Sequence, residues 1–137
     1  MSATVIIVQT LKAGAGITAI VGNKIYPFYS PQEANLPLIV THLITQPEEE
    51  LLQGASQWPE ARVSVECRAS EGPQADRIAE RVIEWLRDKH LYVVAGFEAT
   101  FRKEGTDLTD SSDDRNEKGQ PYVTRRIVDF YIRYRQA

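Results

Sequence analysis

The clearest rhythm in the chain runs through Arg62-Val63-Ser64-Val65-Glu66-Cys67-Arg68-Ala69, where apolar and polar side chains alternate one for one. Successive side chains of a strand point to opposite faces, so this spacing predicts a β-strand with Val63, Val65, Cys67 and Ala69 on the core side. After Ser70-Glu71-Gly72-Pro73 the period lengthens. Ala75, Ile78, Ala79, Val82, Ile83 and Leu86 recur at helical intervals, and Arg77, Glu80, Arg81, Glu84 and Arg87 fill the other side. This predicts one long amphipathic helix, with Pro73 tolerated in its first turn and Glu71 near the positive end of its dipole. Period two returns over 91–103, with Leu91, Val93, Phe97, Ala99 and Phe101 expected inward and Gly96 marking a bulge. It returns again over 122–135, with Val128, Phe130, Ile132 and Tyr134 inward and Asp129, Tyr131, Arg133 and Arg135 outside.

Nearer the start, an apolar segment with Val5, Ile6 and Leu11 and a second, Ile17 to Val21, are separated by Ala13-Gly14-Ala15-Gly16. They predict two short helices broken at the glycines, with Gly14 stopping the first. Residues 24–28 form a brief extended piece and 30–35 a loop. Pro37 then fixes an extended approach to Leu38-Ile39-Val40-Thr41-His42-Leu43-Ile44, which is apolar on both faces. Such a strand is either covered on both sides or keeps one side for another subunit. Residues 47–59 make a long polar connection carrying Glu48, Glu49 and Glu50. From 105 to 120 the apolar side chains nearly vanish and Asp107, Asp110, Asp113 and Asp114 accumulate, predicting a long mobile loop that joins the last two strands as an antiparallel hairpin. The expected architecture is one α+β domain over 1–137: an antiparallel sheet of about four main strands, one long amphipathic helix packed on one face, and short N-terminal helices.

Composition narrows what such a domain can do. The 137 residues suffice for one core. Sixteen basic and 19 acidic side chains leave a charge of −3, which offers no general attraction for nucleic-acid phosphates. Cys67 is the only cysteine, so neither an internal disulfide nor a thiolate-rich zinc site can form within the chain. No apolar stretch approaches the roughly 20 residues of a membrane span, and the N-terminus has no basic leader, so a cytoplasmic site of synthesis and no membrane partner are expected.

Candidate chemistry is sparse. Gly16, Gly22 and Lys24 suggest a phosphate loop, but Asn23 separates glycine from lysine and Ile25 replaces the hydroxyl residue that would bind magnesium. Cys67 with His42 or His90 would be the one thiol–imidazole pair, yet Cys67 lies on the apolar face of its strand, where a thiol packs as a small inert hydrophobe. The aspartates of the 105–120 loop lack the ligand order, central glycine and closing glutamate of a calcium loop. Arg125, Arg126, Arg133 and Arg135 could grip phosphates, but cross-strand pairing with Glu98 and Glu104 accounts for them more simply. No catalytic residue, cofactor or metal is assigned. Two non-enzymatic readings and a weaker enzymatic one stand at this point: a structural assembly subunit, a small protein- or nucleic-acid-binding module using the 105–120 loop, and an unrecognised hydrolase.

One resemblance shifts that balance. Ile20-Val21-Gly22-Asn23-Lys24-Ile25-Tyr26-Pro27, followed by Pro31-Gln32-Glu33-Ala34-Asn35-Leu36-Pro37-Leu38-Ile39-Val40, resembles the opening of the bacteriophage tail-completion or tail-terminator family, with Lys24 where arginine is commoner. The likeness continues through Gly54, the strand at 61–67, the helix with Ala75, Ala79 and Leu86, and the closing Asp129-Phe130-Tyr131-Ile132-Arg133-Tyr134. It makes Gly22, Tyr26, Pro31, Gln32, Pro37 and Asp129 structural motif residues. It implies a ring-forming, hexameric head-to-tail joining subunit without enzymatic activity. Such a subunit would assemble in the host cytoplasm, reside in the virion, cap the tail tube and meet the head connector, with DNA passing nearby unbound. On that reading Leu38, Val40, His42 and Ile44 are candidate interface residues between copies, and Asp107, Asp110, Asp113 and Asp114 candidates for a lumen or docking loop.

Overall fold

A computed structural model of the chain describes residues 2–30, 35–45, 59–111 and 123–137, with backbone alone at 106–108, 110 and 111. Pro31, Gln32, the connection at 46–58 with Gly54 and Trp58, Asp113, Asp114 and Tyr122 lie outside the described residues. The elements follow the order α1 (Ser2–Lys12), α2 (Ala15–Val21), β1 (Ile25–Pro27), β2 (Leu38–Thr45), β3 (Glu60–Ala69), α3 (Gly72–Arg87), β4 (Tyr92–Val94), β5 (Phe97–Ser111) and β6 (Thr124–Gln136).

The two strongest patterns form the expected elements. Val63, Val65, Cys67 and Ala69 of β3 are all at or below 1% exposure. On α3, Ala75, Ile78, Ala79, Val82 and Leu86 are buried; Glu71 occupies its N-cap without a side-chain hydrogen bond, and Pro73 stands in the first turn. The break between α1 and α2 falls at Gly14, and the two helices meet at 85°. No single helix among the described residues is long and apolar enough to cross a membrane.

The sheet is larger and less uniform than the sequence suggests. It holds six strands in the order β1-β2-β3-β6-β5-β4, and β1 runs parallel to β2, so it is mixed and not purely antiparallel. The two additional strands, β1 and β4, are three residues each, too short to display a period. Gly96 marks a tight turn and not a bulge: Ala95 and Gly96 both have positive φ, at 51° and 82°, and Val94 pairs with Phe97 across them. Two central residues with positive φ match the right-handed twist of a two-residue hairpin. That turn resets the alternation, so Tyr92 faces Ala99 on the core side, whereas Val93 pairs with Glu98 and is 63% exposed. Leu91, also expected inward, is 45% exposed.

A second correction concerns the acidic segment. Backbone pairing continues through Asp107↔Val128, Thr109↔Arg126 and Ser111↔Thr124 after a register irregularity between Lys103 and Asp107. The stretch 105–111 is therefore strand, because the partner β6 supplies hydrogen bonds that local composition does not forecast. The expected loop residues 112–120 lie outside the described residues.

All three helices share one face of the sheet. One apolar cluster joins Ile6, Ile7 and Leu11 of α1, Ile17 and Val21 of α2, and the α3 stripe to Ile39, Val65, Cys67, Val128, Phe130 and Ile132. The Trp85 indole N–H donates to the Thr10 carbonyl at 2.8 Å, tying α3 to α1.

Candidate functional site

With the helices on one side, the opposite face of the sheet is where polar side chains of adjacent strands meet. Alternation on β3 turns Arg62, Ser64, Glu66 and Arg68 to that face, and alternation on β6 turns Arg125, Ile127, Asp129, Tyr131 and Arg133 the same way. Because β6 lies between β3 and β5, the charges of three strands form cross-strand neighbours. Arg62 donates to Asp129 through Nε at 3.0 Å and Nη2 at 2.7 Å, and its Nη2 lies 3.9 Å from Glu104. The Asp129 hydrogen bond is the main reason the guanidinium pKa lies above its ordinary value, against the opposing effect of desolvation. Tyr131 receives Arg102 with its guanidinium carbon 4.4 Å from the ring centre, and Arg62 at 5.8 Å.

Glu66 is 6% exposed, the most deeply buried charge of this face among the described residues. Arg68 Nε donates to it, Arg125 Nη1 stands 3.8 Å away, and His42 Nε2 stands 3.9 Å away. A buried carboxylate requires such company. At the rim, Arg135 reaches Glu98 at 3.1 Å and Arg102 reaches Glu60 at 3.6 Å. The expected pairing of the late arginines with Glu98 thus holds for Arg135. Glu104 approaches Arg62, and Arg126 turns to the helix side and donates to Asp76 of α3 at 2.8 Å.

The candidate interface strand β2 splits in two. Leu38 and Val40 are 2% and 0% exposed within the single chain, whereas His42 is half-buried and Ile44 is 51% exposed. Two further exposed apolar side chains, Phe28 and Tyr29, follow β1; the Phe28 N–H donates to the Thr41 carbonyl at 2.8 Å. Asp107 and Asp110 lie in the backbone ladder of β5 opposite Val128 and Arg125.

The motif residues divide by role. Gly22 has φ 63° and ψ −132°, a conformation that side chains resist, and it turns the chain from α2 toward β1. Lys24 Nζ donates to the Asn35 carbonyl at 3.1 Å, a structural tie in place of a phosphate contact. Tyr26 is half-buried opposite Val40, Pro37 follows a cis peptide bond immediately before β2, and Asp129 holds Arg62. Cys67 is fully buried, and loss of hydration pushes its thiol up to about 12, so it stays protonated at neutral pH. His90 stands far along the chain from it, with Nδ1 3.5 Å from Thr100 Oγ1.

The sequence gives the polar face of each strand but not its neighbours. Glu66 and Arg62 were legible as outward residues of β3, but their partnerships depend on β6 lying beside β3 across more than 50 residues of chain.

This arrangement defines an α+β protein with helices on one face of a six-stranded mixed sheet and paired charges on the other. The profile of the bacteriophage tail terminator protein family matches residues 13–126, and the chain belongs to that family. It is a family of structural phage tail proteins, not known as an enzyme family. No curated protein matches the chain. Among solved structures, a chain from the virion of native gene transfer agent (GTA) particle shares its fold, with TM-score 0.65 and 17% identity over 98% of this chain and 93% of that one.

Proposed function

We propose that this structural tail protein is a ring-forming completion subunit that caps the tail tube and connects it to the head, with six copies closing the ring. The observation that carries the reading is the family match over 13–126, which includes β1 to β5 and the start of β6. Its partners are further copies of itself, the tail tube protein and the head connector. DNA passes nearby without specific binding, and assembly takes place in the host cytoplasm before the subunit enters the virion.

A closed ring needs two different contact patches on each protomer. His42 and Ile44, together with exposed Phe28 and Tyr29, supply one on the β2 side of the sheet. Leu38 and Val40 share this face of β2, opposite Arg68 and Glu66, and are covered within the single chain, so they support the patch from beside it. Asp107 and Asp110, with Asp113 and Asp114, supply negative charge for a lumen or docking surface, where like charge keeps DNA from adhering.

The test is genetic and structural. Particles lacking this chain should accumulate tails unjoined to heads, and tagged protein should image as a ring at the joint. Normal joining in its absence would overturn the proposal. Replacing Asp107, Asp110, Asp113 and Asp114 by lysine should impede DNA delivery; undisturbed delivery would remove the lumen role alone.

A further inference from the structure

On the helix-free face, Arg62, Arg68, Arg102, Arg125 and Arg135 each have a carboxylate within 3.9 Å. Arg133 differs. It is exposed, and among the described residues no carboxylate lies within ion-pair distance of it. Register explains why: its cross-strand neighbours are Glu60 on β3 and Thr100 on β5, and Glu60 is engaged by Arg102.

Arg133 also lines a cleft of about 240 Å³ with His90, Leu91 and Thr100. The strap between α3 and β4 forms its other wall. The Leu91 N–H donates to Thr100 Oγ1 at 3.0 Å, and the Phe101 N–H donates to the Lys89 carbonyl at 3.2 Å. Thr100 Oγ1 accepts from Leu91 and lies 3.5 Å from His90 Nδ1, so in either neutral tautomer the Thr100–His90 pair keeps one donor free: the hydroxyl proton when Nδ1 is protonated, the Nε2–H when it is not. A guanidinium fork and that one donor around a single opening are complementary to an oxyanion.

We propose that this cleft seats a carboxylate side chain presented by a neighbouring copy of the chain, as a polar lock between adjacent ring subunits; this rests on the ring reading above. Charge complementarity favours a copy of the same chain. Acidic residues outnumber basic ones by 19 to 16, and Glu71 at the N-cap of α3 and Glu80 on its outer side are exposed with no cation at ion-pair distance among the described residues. The cleft includes exposed Leu91, and Val93, also exposed, lies two residues further on in β4, apolar surroundings of the kind that exclude water at a protein contact. Glu60 and Glu98 nearby are taken by Arg102 and Arg135, so the fork of Arg133 is left for a single incoming carboxylate.

The test uses the full chain, alone and on isolated tails, with self-association read by native mass spectrometry and sedimentation. Arg133→Glu should weaken association by roughly 30-fold or more, as expected when one partner of a desolvated charge pair is reversed. Arg133→Lys, which keeps the charge and loses the fork, should recover only part of it, and Lys12→Glu, at the exposed end of α1, should leave it unchanged. Arg133→Glu that associates like the wild type removes the lock while leaving the ring. Arg133→Glu that loses only retention of duplex DNA at low salt reassigns the cleft to phosphate and also removes the lock. A wild-type chain that forms no oligomer in either setting overturns the ring reading, and the lock with it.

Discussion

At Gly14 a Cβ would lie 3.2 Å from two atoms of the Trp85 ring and 3.1 Å from Ile17 Cδ1, so a hydrogen is what lets the α1–α2 corner close on α3. Trp85 cannot yield easily, because its N–H is held by Thr10 and Lys89 Nζ sits 3.5 Å from its ring centre. Gly14→Ala should cost about 1–3 kcal/mol by overpacking, read as a shifted denaturant midpoint with unchanged slope. The buried Cys67 thiol leads to a pH prediction. Its ordinary value of 9.0 is raised to about 12 by desolvation, so between those values the unfolded chain loses the proton while the folded chain keeps it. This contribution to stability is complete below pH 9 and declines as pH rises toward 12. Cys67→Ala should flatten that alkaline decline relative to wild type, and the native thiol should resist alkylation at pH 7. Both the corner and the inert thiol were legible in part: the glycine break and the apolar strand face are sequence features, but the approach of Trp85 comes from packing between segments 71 residues apart, as Trp85 and Gly14.

Elements with a long, steady period were legible, and short ones were not. The stripe of α3 and the alternation of β3 and β6 each extend over ten or more residues, enough to define a face. β1 and β4, three residues each, exist because a longer strand offers them hydrogen bonds. Gly105 and the following polar residues read as loop for the same reason in reverse: β6 recruits them into a ladder that their own propensities disfavour. The turn from α2 into β1 is more exacting. Gly22 is held at φ 63° and ψ −132°, with its N–H on the Thr18 carbonyl, so Gly22→Ala should cost about 1–3 kcal/mol of backbone strain although nothing lies within 4 Å of the added carbon. A thermal-unfolding comparison with Gly72→Ala, where φ is not positive and space is equally open, isolates the strain.

Over the whole molecule, the core and the candidate contact surface can be separated by mutation. Phe130 is 1% exposed at the centre of the sheet, and Phe130→Ala should remove about 3–5 kcal/mol of stability. Val40→Asp places a charge at a fully buried position and should prevent folding and assembly together. Ile44→Asp, at 51% exposure, should leave stability within about 0.5 kcal/mol while reducing joined particles; equal joining would remove Ile44 from the interface. The sequence pointed to this strand as apolar on both faces. It did not show which half is covered by the chain itself, because that depends on curvature and neighbours, not on the residues of β2.

β6 is later in the chain than every other described strand, yet it sits between β3 and β5. A nascent polypeptide that has emerged only through β5 therefore holds two unzipped strand edges apart, with Val63, Val65 and Phe101 awaiting Val128, Phe130 and Ile132. Completion of the sheet is deferred until those side chains leave the ribosome. Until then the fragment is a natural client for chaperones and should be cleaved rapidly by proteases, whereas the finished subunit resists them.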